Sequence, residues 1–164
     1  MNTLLKSILV ASAVTSMSAA SQITVSDTNT AIFNIGGTID AMCKVNSTGS
    51  AGASSLLIDE TNTTQDIGTL AVWCNTGRNA TTKYASANNG FLVDGSNKVA
   101  YTLDVGSIAS DIDLATDYTA SATAAGTDKT GTSEDHILKI TPLSTGLDAA
   151  GNYSDTITVT VSYN

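Results

Sequence analysis

Apolar residues along this chain recur mostly at every second position, in short runs separated by turn-forming residues, which is the period of strands and not of helices. The first ten residues after position 20, SQITVSDTNT, carry Ile23 and Val25 on one alternating face and are otherwise polar. They read as a detachable arm. Ala31, Phe33 and Ile35 then share a face, Gly36-Gly37 interrupts it, and the pattern resumes from Ile39 to Val45. This predicts a broken first strand with a bulge or switch at the glycines. Residues 46–55 are rich in Ser, Gly and Ala and predict a loop, with strands over Leu56–Ile58 and Ile67–Cys74. Trp73 and Cys74 fall on opposite faces of the latter.

Thr81–Ala85 predicts a short strand, Asn88-Asn89-Gly90 a turn and Phe91–Val93 another strand. Asp94-Gly95-Ser96-Asn97 is the next turn. It leads into Val99, Tyr101, Leu103 and Val105, the clearest hairpin in the chain. From Gly106 to Ser133 the Ala, Thr, Ser and Gly content predicts a long irregular connection with one strand near Tyr118–Ala122. His136–Pro142 and Tyr153–Tyr163 close the pattern, the last with Tyr153, Asp155, Ile157, Val159, Val161 and Tyr163 on one face. No helical crossover is visible, so the strands predict an antiparallel arrangement. The expected fold is an all-β, immunoglobulin-like sandwich. No repeat of fixed period and no linker between two cores is visible.

Composition agrees: only 13% of residues are charged, and Thr, Ser, Asn and Gly supply the polarity, a mixture suited to strands and turns. Residues 1–20 have the form of a secretory signal peptide, with Lys6, an apolar run over Ile8–Val14 and a small-residue cleavage site at Ser18-Ala19-Ala20. The run is too short to cross a bilayer. What remains suits one domain. The formal net charge is −8 and falls by one more unit once Lys6 leaves. Such a surface repels phosphate, which disfavours nucleic acid and anionic membranes as partners. In an exported chain, the two cysteines, Cys43 and Cys74, are expected to form a disulfide that supports stability and not chemistry.

No constellation of catalytic residues stands out. His136 is the only histidine and is expected at a surface or strand edge, with no nucleophile-elbow motif to complete a triad. Asp111, Asp113 and Asp117 lack the glycine and glutamate of a calcium loop and read as a solvated acidic stretch. Asp59, Glu60 and Asp66 would make a glycosidase pair only at a separation the spacing does not define. Trp73 and Tyr101 are expected in the core, as alternating aromatics in strands usually are. The chain is therefore expected to be neither an enzyme nor a cofactor or metal carrier.

The two ends hold the functional clue: an alternating arm, and a final strand with no following segment to cover its edge. Exposed edges are normally blunted or covered, and a strand added from another molecule is one way to cover them. At this point the chain resembles the chaperone-usher pilin family, including its archaic branch with spore-coat-U-like domains. The resemblance rests on Phe33-Asn34-Ile35-Gly36-Gly37-Thr38-Ile39 leading to Cys43, on Cys74 as its partner, on the hairpin LVDGSNKVAYTLDV and above all on the ending AGNYSDTITVTVSYN.

The resemblance implies an incomplete sandwich over residues 31–164, completed by a donor strand from another subunit, with residues 21–30 as the donor extension. Ile23 and Val25 would be its plugs, although Asp27 and Asn29 share their face. Gly151, Tyr153, Ile157, Val159, Val161 and Tyr163 would form the C-terminal strand and acceptor groove. The implied role is a shaft or major subunit of an adhesive surface fimbria, reached through the periplasm. Its implied partners are neighbouring subunits, a periplasmic chaperone, an outer-membrane usher and, through loops, a surface receptor. A secreted carbohydrate-binding β-sandwich, complete in itself, is the competing expectation.

Overall fold

The computed structural model describes Thr24 and residues 29–77, 79–123, 131 and 133–163. The signal-peptide expectation and the donor positions Ile23 and Val25 lie outside them. Met1–Thr38 and Ile39–Asn164 are two separate compact units. In the first, the described residues form neither strand nor helix, and Ile32, Phe33 and Ile35 are 81%, 85% and 96% exposed.

The second unit is an antiparallel, immunoglobulin-like β-sandwich built from strands β1 (Cys43–Gly49), β2 (Gln65–Cys74), β3 (Ala80–Ser86), β4 (Phe91–Asp94), β5 (Asn97–Val105), β6 (Ala109–Asp113), β7 (Tyr118–Thr123), β8 (Glu134–Pro142) and β9 (Ile157–Tyr163). One sheet runs in the order β1-β2-β8-β5-β4, with β6 pairing the far half of the same β5 edge that β4 occupies. The other is β7-β3-β9. Every named pairing is antiparallel.

The period of two sets the core. Leu70, Val72 and Cys74 of β2, Tyr101, Leu103 and Val105 of β5, and Leu138 and Ile140 of β8 are buried, against Ala80, Thr82 and Tyr84 of β3. Fully burying such apolar side chains contributes roughly 1.5 to 3 kcal/mol each. The β1–β2 ladder opens with Cys43 opposite Cys74, and these two form the disulfide. A bulge between Asp66 and Gly68 interrupts the β2–β8 ladder. On its other side β1 approaches so closely that a Cβ on Gly68 would lie 2.6 Å from the Thr48 carbonyl oxygen, which explains glycine inside a strand.

Several expectations change. Residues 31–42 are not strand; the first strand begins only at Cys43, because a strand needs a partner and none of the named ladders includes the preceding segment. Residues 56–58 are likewise not strand, and β1 occupies part of the expected loop at 46–55. The irregular connection contains two strands, β6 as well as β7. His136 is buried at 6% exposure, because it takes the same inward parity on β8 as Leu138 and Ile140. Trp73 is only half-buried while Tyr101 is buried, since Leu70, Val72 and Cys74 claim the inner face of β2.

Candidate functional site

The site begins at two strand edges. Among the described residues β1 pairs only with β2, and β9 only with β3. The two strands come near one another without joining in a ladder, so the N–H and C=O groups on their facing edges have no strand partner. Between them lies a groove of about 940 Å³. Val45–Gly49 of β1 with residues 53–56 and Ile58 form one wall; Gly151–Asp155 with Ile157 and Val159 form the other. Leu70, Leu92, Tyr101, Leu138 and Ile140 reach its floor from the core.

The walls mix apolar and polar side chains and are partly open. Leu56, Ile58 and Ile67 on one side, and Tyr153, Ile157 and Val159 on the other, pack against the core but stay only partly buried, as does Val161, which does not line the groove. On β9 the alternation is plain: Ile157, Val159 and Val161 turn inward while Thr158, Thr160 and Ser162 are exposed.

The end of the groove is fixed by a polar cluster around Asp155. Its carboxylate accepts from the Tyr101 hydroxyl at 2.7 Å, the Ser86 hydroxyl at 2.6 Å, the Asn88 backbone N–H at 3.1 Å and the Thr156 N–H at 2.7 Å. Ser86 Oγ in turn accepts from the Gly90 N–H at 2.7 Å. Burial, and secondly donation to Asp155, push the Tyr101 hydroxyl well above the usual phenol range. This cluster splits the expected Tyr153–Tyr163 strand. Ser154 still exchanges backbone hydrogen bonds with Val93 of β4, whereas Ile157 already pairs with Ser86 of β3. Asp155 is thus the point where the chain passes from one sheet to the other.

The remaining expected groove residues divide. Gly151 and Tyr153 line the groove; Gly151 lies so close to Asp94 that a Cβ would overlap its carboxylate, and the Tyr153 hydroxyl donates to the Ala149 carbonyl at 2.7 Å. Tyr163 ends β9 at 55% exposure and is not among the lining residues. Residues 53–56 and Ile58, which periodicity read as loop and strand, supply part of a wall that sequence reasoning missed. Its only signal was the apolar triplet Leu56-Leu57-Ile58.

The carboxylates weighed for chemistry do not converge. Asp117 pairs with Lys83 at 2.6 Å and Asp66 with Lys139 at 3.5 Å. Asp113 accepts from the Ala115 N–H, and Asp59 from the Thr61 N–H. Among the described residues no group of three His, Cys, Asp or Glu side chains is placed to hold a metal ion. Trp73 lines a separate, shallower recess with Lys44, Val45 and Asn46. No protein-family model matches the chain, and no curated protein matches it significantly.

Proposed function

We propose that this chain is a structural subunit of an adhesive surface fibre, a shaft pilin whose sandwich is completed by a strand donated by a neighbouring subunit. The observation that carries the reading is the partly apolar groove between two strand edges that have no ladder partner among the described residues. An added strand would satisfy the facing backbone groups of β1 and β9, and alternate side chains would enter the groove and cover its half-buried walls. Each aliphatic plug fully buried there would contribute roughly 1.5 to 3 kcal/mol, so a head-to-tail polymer would be stable without covalent links. Export through the periplasm, an assembly chaperone that covers the groove before polymerisation and an outer-membrane usher that exchanges it belong to the same proposal.

The test is a full chain with a second copy of residues 21–41 fused through a flexible linker after Asn164. If the reading holds, the unfused chain forms oligomers, and the fused segment occupies the groove, raises the melting temperature and blocks growth. A monomeric unfused chain whose melting temperature the fusion leaves unchanged would mean a sandwich already complete. Glycan binding would then be the reading to pursue.

A further inference from the structure

We infer that the outer face of the β1–β2–β8 sheet carries a subsite for a neutral hexopyranose, seated beside Trp73. The inference does not depend on what fills the groove, whose floor is made by core side chains of the inner face. Strand parity places the residues. Leu70, Val72 and Cys74 of β2 turn into the core, so Ala71 and Trp73 turn outward. Their cross-strand partners on β1 are Asn46 and Lys44, and on β8 Asp135 stands opposite Ala71. The recess there measures about 630 Å³, and its lining includes Lys44, Asn46, Ala71 and Trp73, with Ser133 on the side toward β8.

The recess offers aromatic carbon framed by uncommitted polar groups. Trp73 is half-buried, yet its Nε1 is buried and has no hydrogen-bond partner among the described residues. The part of the indole open to the recess is therefore ring carbon and not the N–H. Ala71, two residues before it on the same face, is too small to cover that flank of the ring. The C–H groups of a sugar, polarised by their oxygens, are attracted to the negative face of an aromatic system. Around the ring, Lys44, Asn46 and Asp135 are exposed. Among the described residues the Lys44 ammonium and the Asn46 side-chain amide make no ion pair or hydrogen bond. Asp135 accepts from the Ser133 hydroxyl at 2.9 Å, which leaves most of its lone-pair sites open. Two inter-strand steps separate β1 from β8, about 10 Å, a gap that one six-membered ring with a hydrogen bond at either side fills.

Charge selects the class of sugar. One ammonium and one carboxylate border the recess, so it is neutral as a whole, and the chain's net charge of −8 repels an anionic glycan. The hydroxyls of a neutral sugar suit both borders, accepting from Lys44 and Asn46 and donating to Asp135. A protein partner fits less well, because a flat contact would strip water from Lys44 and Asp135 without pairing them.

Trp73 is the only tryptophan, so its fluorescence reports this recess alone. The full chain is titrated with methyl β-galactopyranoside, methyl β-glucopyranoside, methyl α-mannopyranoside and glucuronate, each up to about 100 mM, while the emission is followed. We expect at least one neutral glycoside to shift the emission to saturation with a Kd of about 1 to 10 mM, and glucuronate to bind more weakly than that glycoside. Asn46→Ala and Asp135→Ala change exposed positions and should keep the melting temperature, yet each should weaken the binding about tenfold. Calorimetry on Trp73→Ala, which lacks the fluorescent probe, should show no heat of binding. Failure of all three neutral glycosides to alter the emission overturns the subsite. So does a shift that both polar substitutions leave unchanged, and tighter binding of glucuronate overturns the neutral class. Emission that changes with protein concentration and with no sugar makes the ring a contact between copies, which overturns the assignment as well.

Discussion

Asp155 shows how one side chain can set the path of a strand. Four donors converge on its carboxylate, and they come from β3, the turn after it, β5 and the chain's own next residue. The ionised carboxylate thereby replaces the ladder partners that the backbone forgoes as it changes sheets. Tyr101 is the member whose chemistry can be followed by pH. Its hydroxyl is raised above its ordinary value of 10.0 by burial and by Asp155, and burial raises Tyr84 in the same direction. The unfolded phenols ionise near pH 10 while the folded ones stay protonated. Their contribution is therefore whole below pH 10 and is lost as pH rises beyond it. Chemical unfolding measured from pH 8 to 11.5 should show stability falling from about pH 10. Tyr101→Phe should flatten that fall while lowering stability at pH 8 by about 1 to 2 kcal/mol, the value of a hydrogen bond to a charged acceptor.

Among the elements, β1 is the least supported, because six of its seven residues are exposed and its only ladder is to β2. The disulfide at its first residue ties it to the buried Cys74 of β2. Replacing both Cys43 and Cys74 by Ala should lower stability by about 3 kcal/mol, read as a drop in denaturation midpoint, and should make residues 43–49 the first protease target. β9 has the opposite profile, with inward side chains that are half-covered. Val159→Asp should abolish oligomers while costing the isolated subunit less than Leu103→Ala, a fully buried site where about 2 to 5 kcal/mol is expected; size and melting temperature on both variants check this. The strands from 67 to 142 were legible where β-branched and apolar residues alternate between turns, as in the β4–β5 hairpin. Three features escaped. Ala109–Asp113 has too little hydrophobic contrast to announce a strand, and the pattern over 31–39 cannot say that its partner is absent. Period alone also cannot show that His136 shares the inward parity of its neighbours. The groove was legible only as an expectation about β9, because which edges stay free depends on the order of strands in each sheet.

At the scale of the whole molecule, a chain of net charge −8 that polymerised as proposed would bring copies of itself together against mutual repulsion. Raising sodium chloride from 20 mM to 300 mM should speed oligomer growth several-fold by screening that repulsion, whereas a contact built on opposite charges would slow; light scattering over time distinguishes the two. The proposed link between copies would bear on Cys43. In a fibre joined through the segment before β1, a pull along the axis enters each subunit at residues 40–42 and meets the β1–β2 ladder at its end, the geometry in which hydrogen bonds break one at a time. The disulfide sits at that end and passes the tension covalently into β2, a strand flanked on both sides. Oxidised, the subunit resists being unzipped from its exposed edge. Reduced, it would yield there first, so the bond acts as a mechanical fuse whose strength is set before the fibre ever bears load.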